Sequence, residues 1–250
     1  MMEWTDQGFV LAARRHGEGA AVVQLLTREH GRHAGLVHGG GSASKRALVE
    51  PGNRVQSTWR GRLPEHLGQL TLEVERSYAA ALMDDPGRLS ALAAACVVVE
   101  TALPEREPHP ALFHATEVLL DSLVDSADEV WPAVYIRWEL GLLGELGFGL
   151  DLSSCAVTGQ TDDLVFVSPR TGRAVSREAG APYRDKLLRL PEFMAPAEGA
   201  EISVTSVDLH DGMKLTGFFL ARHVFAPLNQ PLPGARDRLT DLLESLPDLK

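Results

Sequence analysis

Apolar and polar positions alternate in short runs along the first third of the chain and recur at helical spacing along most of the rest. Up to Ala80, five segments read as β-strands: WTDQGFVLAA, AAVVQLLT, GRHAGLVH, NRVQSTWRG and QLTLEVERS. Turn residues separate them at Gly17-Glu18-Gly19, at Glu29-His30-Gly31, between Gly39 and Pro51, and at Leu63-Pro64-Glu65-His66. After Asp84-Asp85-Pro86 the period changes. Ser90 to Leu103, Pro110 to Ala127 and Pro132 to Phe148 place apolar side chains at i, i+3, i+4 and i+7, and two of them open on a proline suited to the first helical turn. The following interval, LDLSSCAVTGQTDDLVFVSPRTGRAVSREAG, offers two short β-like pieces at most. Helical spacing returns in PYRDKLLRL, in ISVTSVDLHDGMKLTGFFLARHVF, where Gly212 and Gly217 weaken the pattern, and in ARDRLTDLLESL.

Five short strands ahead of a helical remainder predict an α+β protein whose first 80 residues close into a small barrel. The five-stranded OB-fold is the commonest such barrel that binds single strands. The expected organisation is a barrel over 1–80, a helical domain over 81–150 and 181–250, and a small subdomain over 151–180. With 250 residues, 44% hydrophobic and 23% charged, the chain has the composition of a soluble globular protein. No apolar run approaches the roughly 18 residues that span a bilayer, and MMEWTDQGFV lacks the features of a signal peptide, so a cytoplasmic location without membrane association is expected. Two cysteines, Cys96 and Cys155, make no disulfide framework and suit a reducing compartment.

The net charge of −10 conceals two opposite parts. Residues 1–80 carry 10 Lys+Arg against 8 Asp+Glu, and residues 81–250 carry 14 against 26. Within the first part the excess is concentrated in Arg14, Arg15, Arg28, Arg32, Lys45, Arg46, Arg54, Arg60 and Arg62, set against Glu18, Glu29 and Glu50. Such a local excess can hold a polyanion on an acidic protein, and these nine residues are the expected DNA contacts. Phe9, Trp59 and Trp4 are aromatic faces that either stack on bases or fill the core.

The stretch EHGRHAGLVHGGGSASKR, Glu29 to Arg46, is where a nucleotide or metal site would be sought first. It is no Walker A loop, because Lys45 is followed by Arg46 where Ser or Thr is needed. His33 and His38 lie an odd number of positions apart on a strand and so face opposite sides, which disfavours a metal cluster and predicts surface or partly stacked histidines. The stretch reads as a strand, Arg32 to His38, running into a flexible glycine loop that carries Lys45 and Arg46 outward. No G-x-S-x-G elbow is present, so a non-enzymatic role is expected, without cofactor or metal.

The order of DQGFVLAARRHGEGAAVVQLLTREHGRHAGLVHGGGSASKR, LVEPGNRV, IRWELGLLGELGFGLDLSSCAVTG and GFFLARHVFAPLNQPLPGARDRL resembles the bacterial DNA repair family RecO, essentially end to end. The resemblance implies an OB-fold joined to a helical domain and a recombination mediator of the RecF pathway. It would bind single- and double-stranded DNA, anneal complementary strands and help load RecA onto DNA coated by single-strand binding protein. RecR is the implied partner, with RecF in many bacteria, and the implied place of action is the nucleoid during repair. Some relatives carry two Cys-x-x-Cys pairs that hold zinc. The matching positions here are Cys155, Thr158, Ser176 and Ala179, so a zinc-finger-like insertion without its ligands is expected, held by Leu164, Phe166 and Val175 around a half-buried Cys155.

Arg137, in IRWELGLL, matches a family position implicated in receiving the acidic C-terminal tail of single-strand binding protein. A guanidinium beside an apolar groove suits a peptide that ends in a carboxylate; the alternative is an ordinary ion pair, for instance with Asp85. The acidic 81–250 part also leaves open an adaptor role, in which the barrel holds a protein partner and its basic strip is incidental.

Overall fold

The computed structural model describes residues 2–63, 65–195 and 204–245. They fall into two compact units, Met1–Asp125 and Ser126–Lys250. In the first unit, β1 (Met2–His16), β2 (Ala20–Thr27), β3 (Gly31–His38), β4 (Asn53–Gly61) and β5 (Gln69–Ser77) form a closed barrel in the order β1-β2-β3-β5-β4. The long first strand makes closure possible: its first half pairs with β4, Met2 opposite Gly61 to Phe9 opposite Arg54, and its second half with β2, Gly8 opposite Thr27 to His16 opposite Ala20. A register shift between Val10 and Ala12 bends the strand where it changes partner. The parallel pair Leu36 and Gln69 joins β3 to β5 and completes the OB-fold. Alternation sends Val10, Val23, Leu25, Val37, Val55, Trp59, Leu70 and Leu72 to the interior.

Phe9 is buried on the outside of the barrel. Its ring lies 6.4 Å from Tyr78, in α1 (Tyr78–Ala81), and 5.0 Å from Phe113, in α3 (Pro110–Asp125), which excludes it as a stacking face for a base. Between these helices α2 (Pro86–Ala102) starts on Asp85, whose side chain accepts from the Arg88 backbone N–H, and buries Ala91, Leu92, Ala95, Val98 and Val99. The Cys96 thiol on α2 donates to the Val10 carbonyl at 3.7 Å, and Arg54 and Arg76 of the barrel pair with Glu117 and Asp121 of α3. Compactness therefore groups α2 and α3 with the strands, whereas limits drawn from secondary-structure content alone separate them at residue 80.

The second unit contains α4 (Trp131–Glu145), α5 (Arg177–Gly180), α6 (Ser206–Phe219) and α7 (Gly234–Glu244), with a small sheet of β6 (Leu164–Val167), β7 (Ala174–Ser176) and β8 (Leu188–Arg189) in the order β7-β6-β8. The third strand corrects the helical reading of PYRDKLLRL. Ala181–Lys186 is a 3-10 turn, after which Leu188 pairs with Val167, and Arg189 pairs with Phe166 and lays its guanidinium over that ring at 5.0 Å. Leu187 packs with Cys155, Phe166 and Val175, so burial against the sheet overrides the local helical spacing. Leu164 and Ala179 join the same cluster.

Helix α6 runs through Gly212 and Gly217 and continues as a π-helical segment, Leu220–Phe225. Close approach explains both glycines: a Cβ would meet Ile136 at 3.0 Å from Gly212 and the Arg236 guanidinium at 2.7 Å from Gly217. Arg236 is buried together with Glu139 and donates to both carboxylate oxygens at 3.0 Å; it also donates to the Met213 carbonyl at 2.6 Å. Thr216 donates to the same carboxylate, which makes this ion pair the polar centre joining α4, α6 and α7.

Candidate nucleic-acid interface

The fold divides the basic segment between the two ends of the barrel. At one end, where β1 turns into β2 and β3 ends, Arg15 donates to the Gly41 carbonyl at 3.1 Å. The glycines lead directly into a 3-10 helix, Ala43–Val49, so Lys45 and Arg46 stand on an ordered turn and not in a loose loop. Ser42 ties the entry by donating to the Gly39 carbonyl at 2.6 Å, and Lys45 reaches the His38 carbonyl at 3.4 Å. Arg15, Gly40, Gly41, Ser42 and Arg46 line a cleft of about 330 Å³ with Glu50 at its edge. Arg15, Lys45 and Arg46 are exposed and have no ion pair among the described residues.

Other basic residues have carboxylate partners. Arg14 pairs with Glu100 at 2.6 Å, Arg28 with Glu29 at 3.5 Å and Arg60 with Glu3 at 2.9 Å, all three with their side chains largely exposed. Arg62, exposed beyond the end of β4, has no such partner among the described residues. Arg32 and Arg54 are committed to internal contacts. Arg32 donates to the Leu103 carbonyl at 2.9 Å with its side chain only 15% exposed, and Arg54 sits among Glu75, Glu117 and Gln7. Their partners lie far along the chain, beyond the reach of local sequence patterns.

The far end of the barrel holds an aromatic cluster that sequence reasoning only grazed. Trp4 stacks on His30 at 4.0 Å between ring centres, and Trp59 lies parallel to Trp4 at 5.8 Å. His30 Nδ1 lies 3.0 Å from the Asp6 carboxylate. Of the expected surface or partly stacked histidines, His30 is stacked on Trp4 and His38 is exposed, whereas His33, on the opposite face from His38, is buried edge-on against both tryptophans. Burial, helped by Arg106 and His30, pushes the His33 pKa down to about 4. Gly31, left-handed at φ 66°, lets the backbone come against Glu107, where a Cβ would lie 2.0 Å from a carbonyl oxygen.

In the second unit Arg137 stands on α4 and donates to the Phe193 carbonyl at 3.1 Å. Val130, Ala133, Val134, Phe193 and Val204 form an apolar groove of about 280 Å³ beside it, with Glu129 at the edge. Val130, Val134 and Arg137 follow helical spacing, so one helix face presents both apolar wall and guanidinium. Asp85 is engaged with Arg88 at 3.0 Å.

Cys155 is fully buried, deeper than expected, at the turn where a zinc ligand would stand in zinc-bearing relatives. Its neighbours at the matching positions are a threonine, a serine and an alanine, and no group of three or more His, Cys, Asp or Glu among the described residues is placed to hold a metal. The sulfur accepts from the Ser176 backbone N–H at 3.3 Å. Burial raises the thiol pKa, but hydrogen bonds from Ser176 and Thr158 outweigh it and bring it down to about 6, whereas burial pushes Cys96 up to about 12. Alkylation needs an accessible thiolate, and both sulfurs are buried, so iodoacetamide at pH 7.5 followed by peptide mass spectrometry is expected to modify neither cysteine readily in the folded chain; rapid modification of Cys155 would contradict its burial.

Comparison with known proteins joins these observations. The family described as "Recombination protein O N terminal" matches residues 1–78, and that described as "Recombination protein O C terminal" matches residues 83–231. A protein named DNA repair protein RecO from Rhodospirillum centenum is 58% identical over 244 residues, covering 96% of this chain and 94% of its own length. Proteins of the same name from Phenylobacterium zucineum and Rhodospirillum rubrum are 54% and 50% identical, each over 97% of this chain and over 98% and 97% of their own lengths. The chain belongs to the RecO family. The two RecO segments meet just after β5, so the first comprises the barrel and the second begins with α2. Among the described residues no helix of this RecO chain is long and apolar enough to cross a membrane.

Proposed function

We propose that this RecO protein is a recombination mediator that binds single- and double-stranded DNA without sequence preference, anneals complementary strands and, with RecR, assists RecA loading onto DNA coated by single-strand binding protein. The reading rests above all on a closed OB-fold barrel bearing cations without an ion pair among the described residues, Arg15 and Arg46 lining one cleft and the exposed Lys45 next to Arg46 in the chain, on an otherwise acidic protein. Side chains on that rim can replace counterions along a phosphate backbone. Arg14, Arg28, Arg60 and Arg62 extend the surface, Arg28 and Arg60 by exchanging an exposed carboxylate for a phosphate and Arg14 by leaving the largely buried Glu100. Arg32 and Arg54 act by holding the barrel in shape. RecF is a further partner in this reading, which places the protein in the cytoplasm and at the nucleoid during repair and assigns it no catalytic centre. Fluorescence anisotropy with a labelled single-stranded oligonucleotide across a salt series tests it: tight binding at low salt with a steep slope is expected. No binding, or binding without a slope, would favour the adaptor reading to which the acidic remainder of the chain lends weight.

The groove at Arg137 is assigned to the acidic tail of single-strand binding protein. The guanidinium faces the peptide's terminal carboxylate while the last apolar side chain enters between Val134 and Phe193. Arg137→Ala is expected to weaken binding of a synthetic tail peptide by about tenfold, the size of one lost charge-assisted hydrogen bond, while leaving oligonucleotide affinity unchanged. Isothermal titration with both ligands measures this; unchanged peptide affinity would remove Arg137 from the site.

A further inference from the structure

In the Ser126–Lys250 unit three rings stack from the interior out to solvent. Phe219, the last residue of α6, is buried, and His223 lies parallel to it at 5.9 Å between ring centres. Phe148, just beyond α4, stacks on His223 in turn at 5.3 Å and is 39% exposed. Its chain neighbours are Gly147 and Gly149, and a Cβ on Gly147 would meet nothing within 4 Å. The ladder therefore ends on an apolar ring in open surroundings, to which a further ring adds without parting those already stacked.

This ring borders a cleft of about 170 Å³ that is also lined by Leu150, Arg170 and Thr171. The turn between β6 and β7 supplies the polar part of the lining. Gly172, left-handed at φ 67°, donates its N–H to the Ser168 carbonyl at 2.9 Å and closes the turn with Arg170 and Thr171 exposed. Arg222 shares the π-helical segment with His223 and ties the turn down by donating to the Pro169 carbonyl at 3.1 Å. Departures of this kind from α winding are frequent at functional sites.

Charge narrows the occupant. Residues 81–250 carry 26 acidic side chains against 14 basic, yet neither Arg170 nor Arg222 has an ion pair among the described residues. The lining of this cleft contains no carboxylate, whereas the clefts beside Arg15, Arg137 and His33 include Glu50, Glu129 and Glu29. Asp151, next to Leu150, is taken up by Arg173 at 3.1 Å. Two arginines spared from neutralisation in an acidic part of the chain favour an anion, and guanidinium groups beside a hydroxyl suit phosphate oxygens. The open phenylalanine at the same cleft favours a partner that offers flat rings between its phosphates, and a single nucleic-acid strand is such a partner.

We propose that this cleft is a second contact for single-stranded DNA, in which one base extends the Phe219–His223–Phe148 stack while Arg170 and Arg222 take the flanking phosphates. The proposal rests on the DNA-binding reading and goes beyond it by placing a strand-selective contact outside the barrel. Duplex DNA, whose base faces are covered by their neighbours, gains only the phosphate part of this contact.

Fluorescence anisotropy of the full chain with a labelled single strand and a duplex of equal length, across a salt series, tests it. Arg170→Ala combined with Arg222→Ala is expected to weaken single-strand binding about tenfold and to lower the salt slope by about 1.4, or about 0.7 per phosphate contact. Arg170→Ala alone, which breaks no bond among the described residues, is expected to lower the slope by about half as much. Phe148→Ala is expected to cost about tenfold on the single strand, the scale of one stacked base, with slope and duplex affinity unchanged. Each variant is compared at an unchanged melting temperature. On the unaltered protein, a strand carrying 5-iodouracil is expected to crosslink under ultraviolet light to the peptide that contains Phe148. Unchanged affinity and slope in the folded arginine variants, equal losses on both DNA forms in Phe148→Ala, or crosslinks confined to barrel peptides each overturn the proposal. So does an arginine variant that keeps its oligonucleotide affinity but loses affinity for a synthetic acidic peptide, which would make the cleft a peptide site. In all these cases the unaltered chain still binds DNA with a steep slope, and the DNA-binding reading stands; an unaltered chain that binds neither DNA form overturns both.

Discussion

Arg236→Met is expected to lower the stability of the Ser126–Lys250 unit by about 3 to 5 kcal/mol, the largest effect anticipated for a single side chain here. The substitution preserves much of the volume but leaves the Glu139 carboxylate, which has no exposed surface, without the two N–H donations it receives from the guanidinium. Thr216 alone continues to donate, and the Met213 carbonyl loses its partner. The guanidinium itself is held firmly protonated: burial works against the charge, but the adjoining Glu139 carboxylate outweighs it and raises its pKa. Guanidinium chloride unfolding of the full chain, followed by tryptophan emission from Trp131 and Trp138, measures the loss. A loss below about 1 kcal/mol would mean that the carboxylate finds water or a proton at little cost. Combining the change with Glu139→Leu is expected to recover most of the stability, because an apolar pair no longer pays for an orphaned charge.

Replacing Arg15, Lys45 and Arg46 together by alanine is expected to weaken single-strand binding by about 10- to 100-fold at low salt and to lower the slope of log affinity against log salt by about 2. The slope is the more telling quantity, since each lost phosphate contact on a single strand removes about 0.7 from it. All three side chains are exposed, so the melting temperature should be unchanged and the effect belongs to the folded surface. An unchanged slope with normal folding would move the phosphate path to the Arg28, Arg60 and Arg62 end of the barrel.

The strands were legible because their cause is local. Period-two alternation places β2, β3, β4 and β5 at Ala20–Thr27, Gly31–His38, Asn53–Gly61 and Gln69–Ser77, the same residues that the hydrophobic pattern marks. The first strand is longer than its pattern, because Met2 and Glu3 at one end and Arg14 to His16 at the other are held by pairing with β4 and β2 and not by their own alternation. PYRDKLLRL misled for the converse reason: six of its nine residues, all Arg, Lys or Leu, favour a helix in isolation, but Leu187 and Leu190 find burial and backbone partners beside β6. Compensation of that kind is visible only once the sheet exists.

The interface was legible as composition and not as geometry. Nine basic residues in 49 stand out in the sequence, yet the sequence holds no sign that Arg54 meets Glu117, 63 positions away, or that Arg14 meets Glu100, 86 positions away. His33 shows the same limit. Its alternation with His38 correctly separates their faces, but which face is buried depends on Trp4, Trp59 and Arg106 arriving from three other parts of the chain.

By itself, the sequence determined the five barrel strands and the helical character of most of the remainder, the contrast between a basic first part and an acidic remainder, the missing zinc ligands and membership of the RecO family, because each is carried by neighbours in the chain or by residue identity. Tertiary structure alone decided which cations stay free, where His33 and Arg106 leave nitrogens unanswered, and that Arg236 is buried against Glu139. These depend on partners 20 to 100 positions apart, brought together by barrel closure and helix packing, and on burial, which fixes the energetic value of a charge or a hydrogen bond only after the surrounding atoms have excluded water.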